Sequence, residues 1–189
     1  MKSAFLILGR EGTAVLPDGT TKLIGVKSFE EAEEKVLEFK NDGTQFVELC
    51  GAFGPERTKK YTEMTDHKIP FGYIVRFPEI EPLFRKAFDG TGRKCKFAFM
   101  IMGKGRYGRA FLPDGVTSIV GVDNFDIALE KAKELVEEGV ECIECCGAFK
   151  EPDIRRLFKE TGEKIAICMM EHIDDPETNE VRRKLFANE

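Results

Sequence analysis

The chain repeats itself, and the repeat limits its architecture more than any other feature does. Phe5-Leu6-Ile7-Leu8-Gly9 returns as Phe99-Met100-Ile101-Met102-Gly103. Leu16-Pro17-Asp18-Gly19 returns as Leu112-Pro113-Asp114-Gly115, and Gly25-Val26 and Phe29 return as Gly121-Val122 and Phe125. Glu48-Leu49-Cys50-Gly51-Ala52-Phe53 returns as Glu144-Cys145-Cys146-Gly147-Ala148-Phe149. Twins lie 94 residues apart at Gly9 and Gly103 and 96 apart at Pro17 and Pro113, so copy two holds two extra residues in the loop between. The register then holds to about Phe77 and Ile173. Roughly a third of the aligned positions are identical, more than a shared fold class accounts for.

Local signals recur in the same order. Lys2 to Gly9 and Lys96 to Gly103 are apolar runs of strand length. Each Pro-Asp-Gly is a turn signal that leads into a β-branched stretch, Thr21 to Val26 and Thr117 to Val122. These turns leave room for a short antiparallel hairpin in each copy. Ser28 and Asn124 are good helix N-caps. Apolar residues at helical spacing follow: Phe29, Ala32, Val36 and Phe39, then Ile127, Ala128, Ala132, Leu135 and Val136. Gly43 and Gly139 suit helix stops. A further strand is predicted at Gln45 to Cys50 and Val140 to Cys146, with a helix starting near Pro55 and Pro152. A fourth strand is predicted at Ile69 to Val75 and Lys164 to Met170. Each copy closes with an amphipathic helix, about Glu79 to Phe88 and Glu177 to Phe186.

Strands that alternate with helices mean βαβ units. The expected fold is α/β: two homologous βαβαβα-type halves with a mainly parallel sheet, mixed where the hairpins form. The boundaries read as 1–90 for copy one, 91–95 for a connector and 96–189 for copy two. A module of about 90 residues has a marginal core alone, and the connector is short. The copies are therefore expected to pack as an intrachain pseudo-dimer with approximate two-fold symmetry.

Bulk properties then exclude partners. The 189-residue chain carries a net charge of -5 and no long basic stretch. That argues against nucleic acid and against an anionic membrane surface. The apolar run Ala4 to Leu8 is too short for a signal-peptide core. No stretch approaches the roughly 20 apolar residues of a membrane span. A cytoplasmic protein is expected, and its six cysteines then read as reduced thiols. No cofactor and no metal are expected. The expected partner is a small-molecule ligand, and the assembly is a pseudo-symmetric monomer or a homo-oligomer.

The strongest chemical candidate is Glu48-x-Cys50-Gly51-Ala52-Phe53 with its twin Glu144-x-Cys146-Gly147-Ala148-Phe149. It sits where open α/β sheets bind ligands, at the carboxyl end of a predicted strand. Glu48 and Cys50 point to one side because side chains alternate. Gly51 and Gly147 allow close approach of a ligand or another backbone. Glu48, Cys50, Glu144 and Cys146 are thus candidates for acid–base or nucleophilic chemistry. A carboxylate beside a thiol raises the thiol's pKa, which opposes a thiolate nucleophile. The competing reading is structural: the acids bond loop amides and the thiols fill the core.

Weaker candidates surround it. Cys142-x-x-Cys145-Cys146 has metal-like spacing, but strand alternation puts Cys145 on the other face, and its twins are apolar. Core thiols are the expected reading. Gly103-Lys104-Gly105-Arg106-Tyr107-Gly108 fits G-x-G-x-x-G, yet strand and turn follow it where a dinucleotide site needs a helix. That loop offers Lys104, Arg106 and Arg109 to an anion, or is simply solvated. The helix starts at Pro55 and Pro152 are further anion candidates, and Glu151 and Asp153 weaken the second. His172 and its twin Arg76 end equivalent strands. They either bind an anionic substrate or rim the sheet, and Glu171, Asp174 and Asp175 are expected to raise the His172 pKa. His67 reads as a solvated turn residue.

The run from Ser28-Phe29-Glu30-Glu31-Ala32 to Glu48-Leu49-Cys50-Gly51-Ala52-Phe53-Gly54-Pro55-Glu56 resembles a family of small prokaryotic proteins classed as a domain of unknown function. Its members are about one copy long and share a strand ending in E-L-C-G-A/G-F-G-P. Copy two departs from that motif at Cys145 and at Lys150-Glu151. The resemblance implies a fold and no activity. Two functions stay open. One is a small-molecule binding protein or enzyme, acting on an anionic metabolite, with sites at the strand ends. The other is a non-catalytic interaction or regulatory module whose motifs serve packing.

Overall fold

A computed structural model describes residues 1–187. Copy one runs β1 (Ser3–Leu8), β2 (Gly12–Val15), β3 (Thr21–Val26), α1 (Phe29–Asp42), β4 (Phe46–Leu49), α2 (Gly54–Met64), β5 (Phe71–Val75) and α3 (Glu81–Ala87). Copy two repeats that order as β6 (Phe97–Met102), β7 (Arg109–Phe111), β8 (Thr117–Val122), α4 (Phe125–Glu137), β9 (Cys142–Cys145), α5 (Glu151–Glu160), β10 (Ala166–His172) and α6 (Pro176–Phe186).

The caps and turns act as their residue types dictate. Ser28 Oγ accepts from Glu31 N at 3.3 Å, and Asn124 Oδ1 accepts from Ile127 N at 3.1 Å. Each satisfies an amide that the helix leaves without a partner. Asp18 Oδ1 accepts from Thr20 N at 2.8 Å and Asp114 Oδ1 from Val116 N at 3.0 Å. These turns fold β2 back on β3 and β7 back on β8, so the sheet is mixed at both edges.

All ten strands form one sheet, in the order β2-β3-β1-β4-β5-β10-β9-β6-β8-β7. Within each copy β3, β1, β4 and β5, or their counterparts, run parallel. The copies meet at β5 and β10, which pair antiparallel with Met169 opposite Val75 and His172 opposite Gly72. Each copy thereby uses up an edge that would otherwise expose unpaired backbone. An antiparallel central pair places the pseudo-two-fold axis between β5 and β10.

The sheet also curls until its far edges meet. β2 touches β7 and β3 touches β8. Arg10 pairs with Asp114 at 3.4 Å and Arg106 with Asp18 at 2.6 Å, each across the copies. A Cβ on Gly12 would stand 2.6 Å from the Pro113 ring, and one on Gly108 would stand 2.7 Å from the Pro17 ring. Reciprocal glycines therefore let each turn proline lie on the other copy. Phe5 and Phe99 meet inside the curl with ring centroids 4.5 Å apart. The helices cover the outer face, with Ala32, Val36 and Phe39 of α1 and Ala128, Ala132 and Leu135 of α4 turned to the sheet.

Register then fixes where the acids point. Phe5 stands beside Glu48 and Phe99 beside Glu144, so each acid shares the inward face of its phenylalanine. A ring shared by both copies makes one cooperative unit. Phe99→Ala is expected to cost about 4 kcal/mol and to leave a single unfolding transition in urea. Two separated transitions in the unmutated protein would show instead that the halves fold independently.

Candidate functional site

The inward acids cross between copies. Glu48 Oε1 accepts from Gly147 N at 2.7 Å, and Glu144 Oε1 accepts from Gly51 N at 3.0 Å. Each carboxyl thus bonds the strand-exit amide of the other copy. Both acids are 1% exposed. Burial raises each to about 8, and the accepted amide bond offsets only part of that shift. Both are neutral carboxylic acids at pH 7.

The thiols beside them are buried and accept from backbone amides. Cys50 Sγ accepts from Leu8 N at 3.5 Å and Cys146 Sγ from Met102 N at 3.3 Å. Burial pushes both up to about 12. The next contribution comes from the other copy's acid, Glu144 for Cys50 and Glu48 for Cys146. Both effects oppose the nucleophilic role considered for Cys50 and Cys146, since the thiolate is the reactive form. Cys142, Cys145 and Cys168 are free and buried as well.

A cavity of about 950 Å³ opens over the Glu48–Gly147 corner. Glu48, Cys146, Gly147 and His172 line its inner end. Phe46, Ile101, Met102 and Phe186 give it apolar walls. Lys104, Lys150, Arg182 and Arg183 bring positive charge, and Asp18 is the acid besides Glu48 that reaches it. Asp18 is already paired with Arg106, whose Nη1 also donates to Thr20 Oγ1 at 2.7 Å. Arg106, read from the sequence as offered to an anion or to solvent, is engaged in joining the copies. Lys104, Lys150 and Arg182 have no carboxylate partner among the described residues. Lys150 Nζ donates to Gly147 O at 3.0 Å and Arg182 to Asn179 Oδ1 at 3.1 Å.

His172 ends β10 against the face of Phe46, with ring centroids 5.2 Å apart. Its Nε2 is buried without a hydrogen-bond partner. Burial lowers its pKa to about 3, and the Arg182 and Lys150 charges add to that. This reverses the expected upward shift. The neighbouring acids are engaged elsewhere: Glu171 with Tyr73 OH, Asp174 with Asn179, and Asp175 with the α6 N-terminus and His67. His67, expected to be solvated, thus ties the copies together at 3.2 Å from Asp175 Oδ1. A Cβ on Gly147 would lie 2.5 Å from His172 Cε1, so the glycine makes room for the imidazole.

Arg76 does not join His172. It sits in the other corner, with Nε donating to Glu81 at 2.7 Å and its guanidinium 4.1 Å from the Phe84 ring centroid. That corner also holds Gly51, Cys50 and Glu144. Glu48, Gly147, Cys146, His172, Lys104 and Arg106 share the cavity, whereas Cys50, Gly51, Glu144 and Arg76 lie outside it. Sequence reasoning missed Phe46, Arg182 and Arg183, and met Lys150 only as part of a helix start weighed as an anion site. Its available signal was α6, where Arg182-Arg183-Lys184-Leu185-Phe186 stands against Phe84-Arg85-Lys86-Ala87-Phe88 of copy one.

A family model described as "Family of unknown function (DUF6506)" matches the chain twice, over residues 2–89 and 95–184. No curated protein matches it. The crystal structure of the transcription regulator CcpA of Lactococcus lactis is similar over 88% of this chain and 78% of that one, at 12% identity and a TM-score of 0.27. So low a score supports no inference. Among the described residues no helix is long and apolar enough to cross a membrane.

The two raised carboxyls set a pH dependence. Between about 4.5, the ordinary glutamate value, and about 8 the folded state holds protons that the unfolded state has released. Stability from Glu48 and Glu144 therefore falls as pH rises through that window. His172 acts oppositely between about 3 and 6.5, where its loss of protons on folding makes stability rise with pH. A Glu48→Gln/Glu144→Gln variant keeps His172 and cancels its effect in the comparison. Relative to the parent, that variant is expected to gain on the order of several kcal/mol between pH 5 and 8.5. Urea unfolding across the range measures this, and parallel stability curves would contradict it.

Proposed function

The chain belongs, twice over, to this family of unknown function, and we propose that it binds, as a binding protein or an enzyme, a small anionic metabolite in the cavity between its copies. The observation that carries the proposal is the charge balance of that cavity. Cations without acid partners, Lys104, Lys150 and Arg182, face a floor whose one carboxyl, Glu48, is neutral at pH 7. With Asp18 neutralised by Arg106, the remaining charge of the lining is positive, which focuses the field and raises the local concentration of the opposite charge. A charged Glu48 would repel the same ligand, and burial removes that repulsion.

The volume supports this reading too, because small-molecule sites occupy roughly 300–1,000 Å³ with mostly apolar walls and a few polar groups. At the inner end, the protonated Glu48 carboxyl can donate a hydrogen bond to a ligand carbonyl or hydroxyl. It is also the group best suited to deliver a proton there. Neutral His172 presents an imidazole nitrogen with no protein partner. Cys146 supplies wall rather than reactivity, for the reason already given.

The test is a thermal-shift and calorimetric screen with inorganic phosphate, citrate and aromatic and aliphatic carboxylates. A true ligand at a hundred times its Kd is expected to stabilise the protein by about 2.7 kcal/mol. Lys150→Ala and Arg182→Ala are each expected to weaken binding at least tenfold. Binding that survives the loss of Lys104, Lys150 and Arg182 together would place the ligand elsewhere and end the proposal.

A further inference from the structure

The two corners of the pseudo-dimer are not equivalent, and their difference says what the open one takes. In the closed corner the Phe84 ring lies against Gly51. Its Cζ stands 3.3 Å from where a Cβ of that glycine would be. Arg76 stacks over the same ring at 4.1 Å. Phe88 packs on Phe84 at 4.7 Å and reaches Phe97 at 6.1 Å. Beneath them Glu144 Oε2 is buried with no hydrogen-bond partner. An Arg10 guanidinium bonded to Cys95 O at 3.4 Å closes the side.

The open corner has the same frame, with the His172 imidazole against Gly147 and a cavity beside it. Aligning α6 on α3 puts Arg182 where Phe84 stands and Phe186 where Phe88 stands. The contacts support that alignment. Phe88 meets Phe97, and Phe186 meets Phe46 at 5.3 Å. Phe97 pairs in register with Cys142, and Ser3 pairs in register with Phe46. Four replacements therefore separate the corners: Arg182 for Phe84, Ser3 for Phe97, His172 for Arg76 and Phe46 for Cys142. They exchange the Phe84 and Phe97 rings for Phe46 and the His172 imidazole, which pack on each other at 5.2 Å, and leave a cavity with a rimming cation, an inner acid and aromatic walls.

We infer that the chain has one ligand site, not two, and that its ligand is a small aromatic acid whose ring lies in the cavity of the open corner against Phe46, Phe186 and the His172 imidazole. This rests on the cavity reading above and narrows it. In the closed corner the fold seats a benzene ring against a strand-exit glycine, beneath a cation and above a neutral acid. The open corner keeps the acid as Glu48, sets neutral His172 against Gly147 where the closed corner has the Arg76 cation, and brings Arg182 and Lys150 to the cavity as its cations. A ring there meets Phe46 and Phe186 in the offset or edge-on contacts that aromatic pairs favour. Its anionic group reaches the rim, where Arg182 can hold a carboxylate in bidentate fashion.

Isothermal titration with 2-naphthoate and with succinate tests this on the full chain. One 2-naphthoate is expected per chain, bound at least tenfold tighter than succinate. Arg182→Phe copies the Phe84 ring into the open corner and is expected to abolish that binding. Arg182→Ala removes the charge alone and is expected to weaken it about tenfold, with circular dichroism confirming that both variants fold. Phe84→Ala is expected to leave the first site unchanged. Two equal sites in the parent chain, or Arg182→Phe without effect, would overturn the inference. Succinate or phosphate bound in the cavity while 2-naphthoate is not would overturn it and spare the broader proposal. Failure of every anion would remove both.

Discussion

Two crossed hydrogen bonds set the terms for the rest of this molecule. Each of Glu48 and Glu144 leaves its own strand to accept from a glycine amide of the other copy, at 2.7 and 3.0 Å. A strand-exit amide inside a curled sheet has no ladder partner, and a buried amide without one is costly. The carboxyl satisfies it but must itself be desolvated, and so stays protonated at neutral pH. A neutral acid is thus a consequence of how the copies dock. The ladder between β5 and β10 holds the copies on one side of the axis, and the Arg10–Asp114 and Arg106–Asp18 pairs hold them at the far edges. The crossed acids fix the middle.

Much of the fold was legible because it rests on local rules. The repeat, the caps at Ser28 and Asn124, the Pro-Asp-Gly turns and the strand and helix order all follow from short-range signals. So do the mixed edges, since an Asp-Gly turn folds a chain back within a few residues. Burial of the Cys142–Cys145–Cys146 group also followed, from alternation and apolar twins. The site was legible only in part. Strand alternation suggested that Glu48 and Cys50 act on each other, whereas the fold sets Cys50 beside Glu144 and Cys146 beside Glu48. The partner of each is set by curl and register, which bring positions 99 and 93 residues apart into contact. No periodicity in one copy reports that.

The same limit explains the misread charges. Arg106 sits in a glycine-rich loop that looks solvated, but the curl lays it on Asp18 and Thr20 of the other copy. His172 stands among acids in sequence and among cations in space. Asp174 and Asp175 turn to α6, while Arg182 and Lys150 turn toward the imidazole. Sequence neighbours at a strand end diverge by alternation and capping, so a pKa argued from them had the wrong sign.

Fusion of the copies into one chain is what permits unlike corners. In a dimer of identical subunits the two-fold axis makes both corners the same, and any residue that plugs one plugs its mate. A covalent pair has no such constraint. Phe84 and Phe97 can fill one corner and stabilise the body by apolar burial, while Arg182 and Ser3 keep the other open and charged. The closed corner retains Glu144, Gly51 and Cys50, the same triplet as the open one, because the crossed hydrogen bond needs them whether or not anything binds. Repetition of the Glu-x-Cys-Gly motif therefore reports docking. The residues that distinguish the corners lie outside that motif, in the first strand and last helix of each copy, at the end of the strand before that helix, and at Phe46 and Cys142.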